Sequence, residues 1–117
     1  MRVMVLVKST PASEADAFDP DWSAEMMAAM GRFNDELRAA GVLLMAAGLS
    51  PSANGKRVAF DGAARSIVDG PFAPVDELVA GYWLWSVKDI DEAVAWVKRC
   101  PDPMPGPSVI EVRPLLG

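Results

Sequence analysis

The sequence predicts an α+β domain, a β-α-β-β-α-β unit with a β-hairpin inserted in its middle. Three observations carry this. Two segments repeat apolar residues at helical spacing behind cap signals. Four short runs are apolar and strand-like. An Asp-Gly pair joins two further short runs. The length of 117 residues suits a single domain spanning 1–117, with roughly 65% of the unfolded chain's surface buried on folding. Apolar residues make up 51% and charged residues 23%, as in ordinary folded domains.

Residues 2–8 are rich in valine and bounded by Ser9-Thr10-Pro11, which marks a strand. Val3, Val5 and Val7 share one face; Met4 and Leu6 share the other. Residues 9–21 are rich in Ser, Pro, Ala and Asp and are expected to form a loop. Asp19 can then cap a helix, with Pro20 at its first position and Asp21 at the positive end of the dipole. That helix is expected over Pro20–Ala40. Trp22, Met26, Met30, Phe33 and Leu37 form its apolar stripe, and Gly41 ends it.

Residues 42–48 form a second apolar strand, followed by a turn-rich loop at 50–55. Arg57–Phe60 and Arg65–Val68 are two short strands around Asp61-Gly62, a hairpin signal. After Asp69-Gly70-Pro71-Phe72 and a polar stretch, Gly81–Val87 alternates Trp83, Trp85 and Val87 against Tyr82, Leu84 and Ser86. The second helix is expected over Asp89–Arg99. Asp89 and Glu92 form a capping-box pattern, and Pro101 closes the helix. Val109–Val112 is the last strand, with Glu111 and Arg113 on one side.

Without the inserted hairpin this order is ferredoxin-like, with both helices on one face of the sheet. The other face should be polar if it meets water. Strand 2–8 is apolar on both faces, and 81–87 nearly so. An apolar sheet face of that size favours a two-fold partner, a homodimer in the form of a dimeric α/β barrel. The alternative is a monomer whose loops 9–21 and 49–56 cover the face.

Composition excludes several functions. Eleven basic against sixteen acidic residues give a net charge of -5, so no nucleic-acid partner is expected. No apolar run approaches the roughly 20 residues of a membrane span, and no signal-peptide pattern is present. A cytoplasmic protein with no membrane partner is expected. The chain has no histidine and one cysteine, Cys100. That removes the commonest general base and metal ligand, and any internal disulfide. No Asp/Glu cluster has calcium-loop spacing, and no Gly-x-Gly-x-x-Gly or P-loop occurs. No metal and no other cofactor is expected. The methionines are scattered and read as core filler. Cys100 follows Lys98-Arg99, but the helix C-terminus opposes a reactive thiolate.

Three candidate sites remain. Asp69 ends an apolar strand before Gly-Pro, and partial burial there would suit general acid–base catalysis. The competing reading, favoured by Asp-Gly-Pro, is an Asx-type turn in which Gly70 supplies an unusual φ. Glu111 and Arg113 form either a polar pair in a cavity, with Arg113 holding an anion, or a surface ion pair of little consequence. Tyr82, Trp83 and Trp85 either line a pocket or pack in the core. Tyr82, on the face of Ser86, is the one assigned to a cavity.

Asp69-Gly70-Pro71-Phe72, Gly81-Tyr82-Trp83-Leu84 and Asp89-Ile90-Asp91-Glu92-Ala93 together resemble the YCII-related family, in particular its DGPF-domain branch. Met4–Val7, Phe33–Val42 and Val109–Pro114 look like that family too. The resemblance implies a ferredoxin-like protomer in a dimeric α+β barrel. It implies a domain of uncharacterised function, some of whose members are encoded near extracytoplasmic-function sigma factors. Wider relatives use a His–Asp pair, and a dehalogenating hydrolase is known among them; a chain without histidine lacks that pair. The branch usually follows its motif with Glu-Thr-Lys-Glu, whereas this chain reads Pro74-Val75-Asp76-Glu77 and matches only at Glu77.

The expected function is the binding of a small organic metabolite in the dimer cavity by Asp69, Gly70, Pro71, Phe72, Glu77, Tyr82 and Arg113. Weak acid–base chemistry at Asp69 accompanies it. The alternative is a non-catalytic interaction module accessory to transcription regulation.

Overall fold

The computed structural model describes residues 1–117. Six strands and three helices follow in order: β1 (Arg2–Lys8), α1 (Pro11–Glu14), α2 (Pro20–Ala39), β2 (Leu43–Gly48), β3 (Lys56–Asp61), β4 (Ala64–Asp69), β5 (Val79–Ser86), α3 (Ile90–Arg99) and β6 (Ile110–Pro114). Strands β2, β5, β1 and β6 form one sheet in that order, antiparallel at every junction. Thus β1 and β2 run parallel with β5 between them, the split arrangement of a ferredoxin-like domain. Strands β3 and β4 pair only with each other.

The valine alternation of β1 decides which face is buried. Val3, Val5 and Val7 pack with Trp83 and Trp85 of β5 against Phe33 and Leu37 of α2 and Ala93 of α3. The Phe33 ring meets Trp83, Trp85 and Trp96 edge-on, with centroids 6.1, 6.3 and 6.3 Å apart. Burying one Val or Leu fully is worth about 1.5–3 kcal/mol. This cluster is therefore the main source of stability in the chain.

The opposite face carries two cross-strand rows. One is Arg113, Met4, Leu84 and Met45; the other is Glu111, Leu6, Tyr82 and Ala47. Their centre is apolar, and α2 and α3 pack on the other side of the sheet.

The helix ends follow their sequence signals. The Asp19 carboxylate accepts the Trp22 N–H at 3.0 Å, with Pro20 at the first position. Gly41, at φ +73°, donates to the Arg38 carbonyl, and Val42 donates to that of Leu37. This is a Schellman stop whose Leu37–Val42 pair joins the core. At α3, Asp89 accepts the Glu92 N–H at 2.9 Å. Glu92 reaches one residue past the cap, to the Lys88 N–H at 2.6 Å.

Four expectations change. The 9–21 loop contains α1, because Thr10 and Ser13 form a reciprocal capping box with Pro11 at the first position. The strand expected at 81–87 runs 79–86. The hairpin turn falls on Gly62-Ala63, one residue beyond Asp61-Gly62, since Asp61 pairs with Ala64 and Gly62 takes the positive φ of +58°. Gly70 has no positive φ. Glycine is required there because a Cβ would run into the Ser52 carbonyl.

Candidate functional site

A cavity of about 590 Å3 opens where β1 and β2 finish and β5 begins. Four separate segments close it: the loop and short helix at 9–18, one side of α2, residues 46–52, and Pro103-Met104. Met26, Met30, Phe18, Trp83 and Met104 form much of its apolar wall. The same stripe that buries Phe33 and Leu37 in the core thus lines a cavity one to two turns earlier.

Several polar side chains share this wall, and Asn34 and Glu14 are oriented by hydrogen bonds from distant segments. The Trp83 indole N–H donates to Asn34 Oδ1 at 2.8 Å. Because an indole can only donate, the bond fixes the amide and leaves Asn34 Nδ2 as a donor. Glu14 Oε2 accepts the Ser52 N–H at 2.7 Å. Its second oxygen, Oε1, is shut off from solvent and has no hydrogen-bond partner. An unsatisfied buried oxygen of this kind is uncommon and costly in folded proteins.

Ser52 ties this wall to the Asp69-Gly70-Pro71-Phe72 segment. Its hydroxyl accepts the Phe72 N–H at 2.9 Å, its carbonyl lies against Gly70, and the Gly70 N–H donates to the Gly55 carbonyl at 3.0 Å. The Gly70-Pro71 and Ala73-Pro74 bonds are cis. The motif therefore fastens the loop that presents Ser52 to Glu14.

The residues expected from the sequence to form a site do not gather in one place. Tyr82 lines the cavity, and its hydroxyl lies 3.5 Å from Met45 Sδ. Asp69 does not line it. Its side chain is 72% exposed and pairs with Lys56 Nζ at 2.5 Å across the hairpin. Neither the partial burial nor the Asx turn expected for it is present in this chain. The carboxylate projects from the free hairpin and takes Lys56 in place of local amides. Phe72 is half-buried under the Arg57 guanidinium, 4.1 Å from its ring centre, while Pro71 and Glu77 are exposed. Arg113 pairs with Glu111 at 3.1 Å on the open face, the surface-pair geometry.

Sequence reasoning missed Glu14, Asn34 and Ser52. The Thr10-x-x-Ser13 box was a signal for α1, and α1 places Glu14. No local signal marks Asn34, whose role comes from Trp83, 49 positions away.

Cys100 is held by its surroundings. Burial pushes its thiol up to about 12, and nearby Asp102 adds to the effect. The thiol lies 3.2 Å from the Pro101 carbonyl and donates to it. No three His, Cys, Asp or Glu side chains come together as a metal-binding group. No helix is long and apolar enough to cross a membrane.

Comparison with curated proteins finds no match. The model of the YCII-related domain matches residues 1–116, almost the whole chain. With the β2-β5-β1-β6 sheet beneath two helices, that match makes this chain a member of the YCII-related domain family.

Proposed function

We propose that this domain binds a small organic molecule in the cavity between α2, β5 and the 46–52 segment, and that it works as a homodimer. The observation that carries the reading is the cavity itself. Its roughly 590 Å3 lie within the 300–1,000 Å3 range of small-molecule sites, and apolar walls with a few oriented polar groups are what such sites use. Asn34 and Glu14 supply the oriented groups. The Asp69-Gly70-Pro71-Phe72 segment supports membership of the DGPF branch. It acts on the site indirectly, by clamping Ser52.

The dimer rests on a second observation. Met4, Leu6 and Leu84 form the half-buried apolar centre of the sheet face opposite α2 and α3. On the hairpin, Val58, Phe60 and Ile67 share one exposed face. A second copy covers both with the same surface. A protein-interaction module would use the same hairpin face for a foreign partner.

A thermal-shift screen of small organic molecules tests the ligand reading on wild type, Met30→Trp and Asp69→Asn. Met30→Trp fills the cavity, and Asp69→Asn removes only an exposed pair. Hits that vanish in Met30→Trp and persist in Asp69→Asn are expected. Hits lost in Asp69→Asn and kept in Met30→Trp would move the site to the hairpin.

A further inference from the structure

We infer that the ligand of this cavity is a small organic cation, an amine or ammonium on an apolar body. The inference rests on the ligand reading above and deepens it. Among the residues lining the cavity, the charged ones are Glu14 and Asp16; no lysine or arginine is among them. An anionic ligand would meet like charge and no counter-ion among the lining residues, which costs several-fold in affinity.

Glu14 adds the specific element. One of its oxygens is engaged by the Ser52 N–H, so the carboxylate is held at one end. The other oxygen, Oε1, is buried without a donor. The carboxylate side chain as a whole lines the cavity and can only accept, so the group it favours there is an N–H or O–H donor. A cationic N–H gives the stronger, charge-assisted bond. The remaining walls suit such a head group. Trp83 and Phe18 offer aromatic surface to a cation, and Met26 and Met30 offer polarisable thioethers to its apolar body. Asn34 Nδ2 remains as a donor for an acceptor elsewhere on the same molecule.

Three matched probes test this on the full chain: benzylammonium, benzyl alcohol and benzoate. They share one ring and differ in head group. Titration would be followed by calorimetry and by the Trp83 indole N–H signal. Benzylammonium is expected to bind at least about tenfold more tightly than benzyl alcohol, with benzoate weakest. Glu14→Gln keeps an acceptor for the Ser52 N–H but removes the charge. It is expected to erase the preference for benzylammonium over benzyl alcohol.

Equal binding of the three by wild type, or a preference for benzoate, overturns the cation assignment while leaving the cavity as a ligand site. An undiminished preference in folded Glu14→Gln overturns the role of Glu14. Absence of binding by all three, with no movement of the Trp83 signal, counts against the cavity reading itself and against the cation with it.

Discussion

Strands β1 and β5 bury one face completely, whereas β3 and β4 bury none of their twelve residues. Both pairs are antiparallel, and both carry large apolar side chains. The difference lies in what stands opposite. β1 and β5 meet the apolar stripes of α2 and α3. The apolar residues of the hairpin are left uncovered by their own chain: Phe60 and Ile67 are 71% and 70% exposed. An isolated two-stranded hairpin is marginal in water. The sheet is therefore expected to carry folding, and the hairpin assembly.

The largest effect belongs to the core. Trp85→Ala, at a residue that is 0% exposed, is expected to cost about 3–5 kcal/mol, measured by urea unfolding. On the hairpin, Ile67→Asp is expected to leave the chain folded, with its circular dichroism spectrum nearly unchanged. It should shift the sedimentation coefficient from dimer to monomer. A variant that unfolds, or one that stays dimeric, would break the comparison. Asp19→Ala removes the α2 cap and should cost about 1 kcal/mol. Lys56→Ala, which removes an ion pair exposed by about two-thirds, should cost no more than ~0.5 kcal/mol.

Cys100 sharpens the comparison through pH. Its folded thiol titrates near 12, against an ordinary value of 9.0. Below pH 9 both folded and unfolded chains keep the proton, so stability does not depend on this group. As pH rises from about 9 toward 12, the unfolded chain ionises first and is favoured, so stability falls. Cys100→Ser should flatten that part of the pH profile relative to wild type. Below pH 8, wild-type Cys100 should react with iodoacetamide far more slowly than a free cysteine.

The contrast also explains how much was legible in the sequence. Strand 2–8, the Asp19 and Asp89 caps and the Gly41 stop are local chemistry, and each appears where the residues indicate, while the strand expected at 81–87 starts two residues earlier and ends one sooner. The order of elements followed from them, and with it the sheet. Of the residues singled out for a pocket in the sequence, Tyr82 and Trp83 line the cavity. The cavity is assembled from segments far apart in the chain. Glu14 is joined to Ser52 across 38 positions, and Asn34 to Trp83 across 49. Taken alone, Glu14 looks like a solvated charge at a helix end. Asp69 drew attention for the opposite reason: its turn chemistry is strong, but its work is done by Gly70, which admits the Ser52 carbonyl.

The measurement that tests the account most directly is a 1H–15N correlation spectrum during titration with benzylammonium. The account predicts movement of the Trp83 indole and Asn34 side-chain amide signals, with the Ile67 and Asp69 backbone amides unmoved. Movement of the hairpin amides with Trp83 and Asn34 unmoved would contradict it.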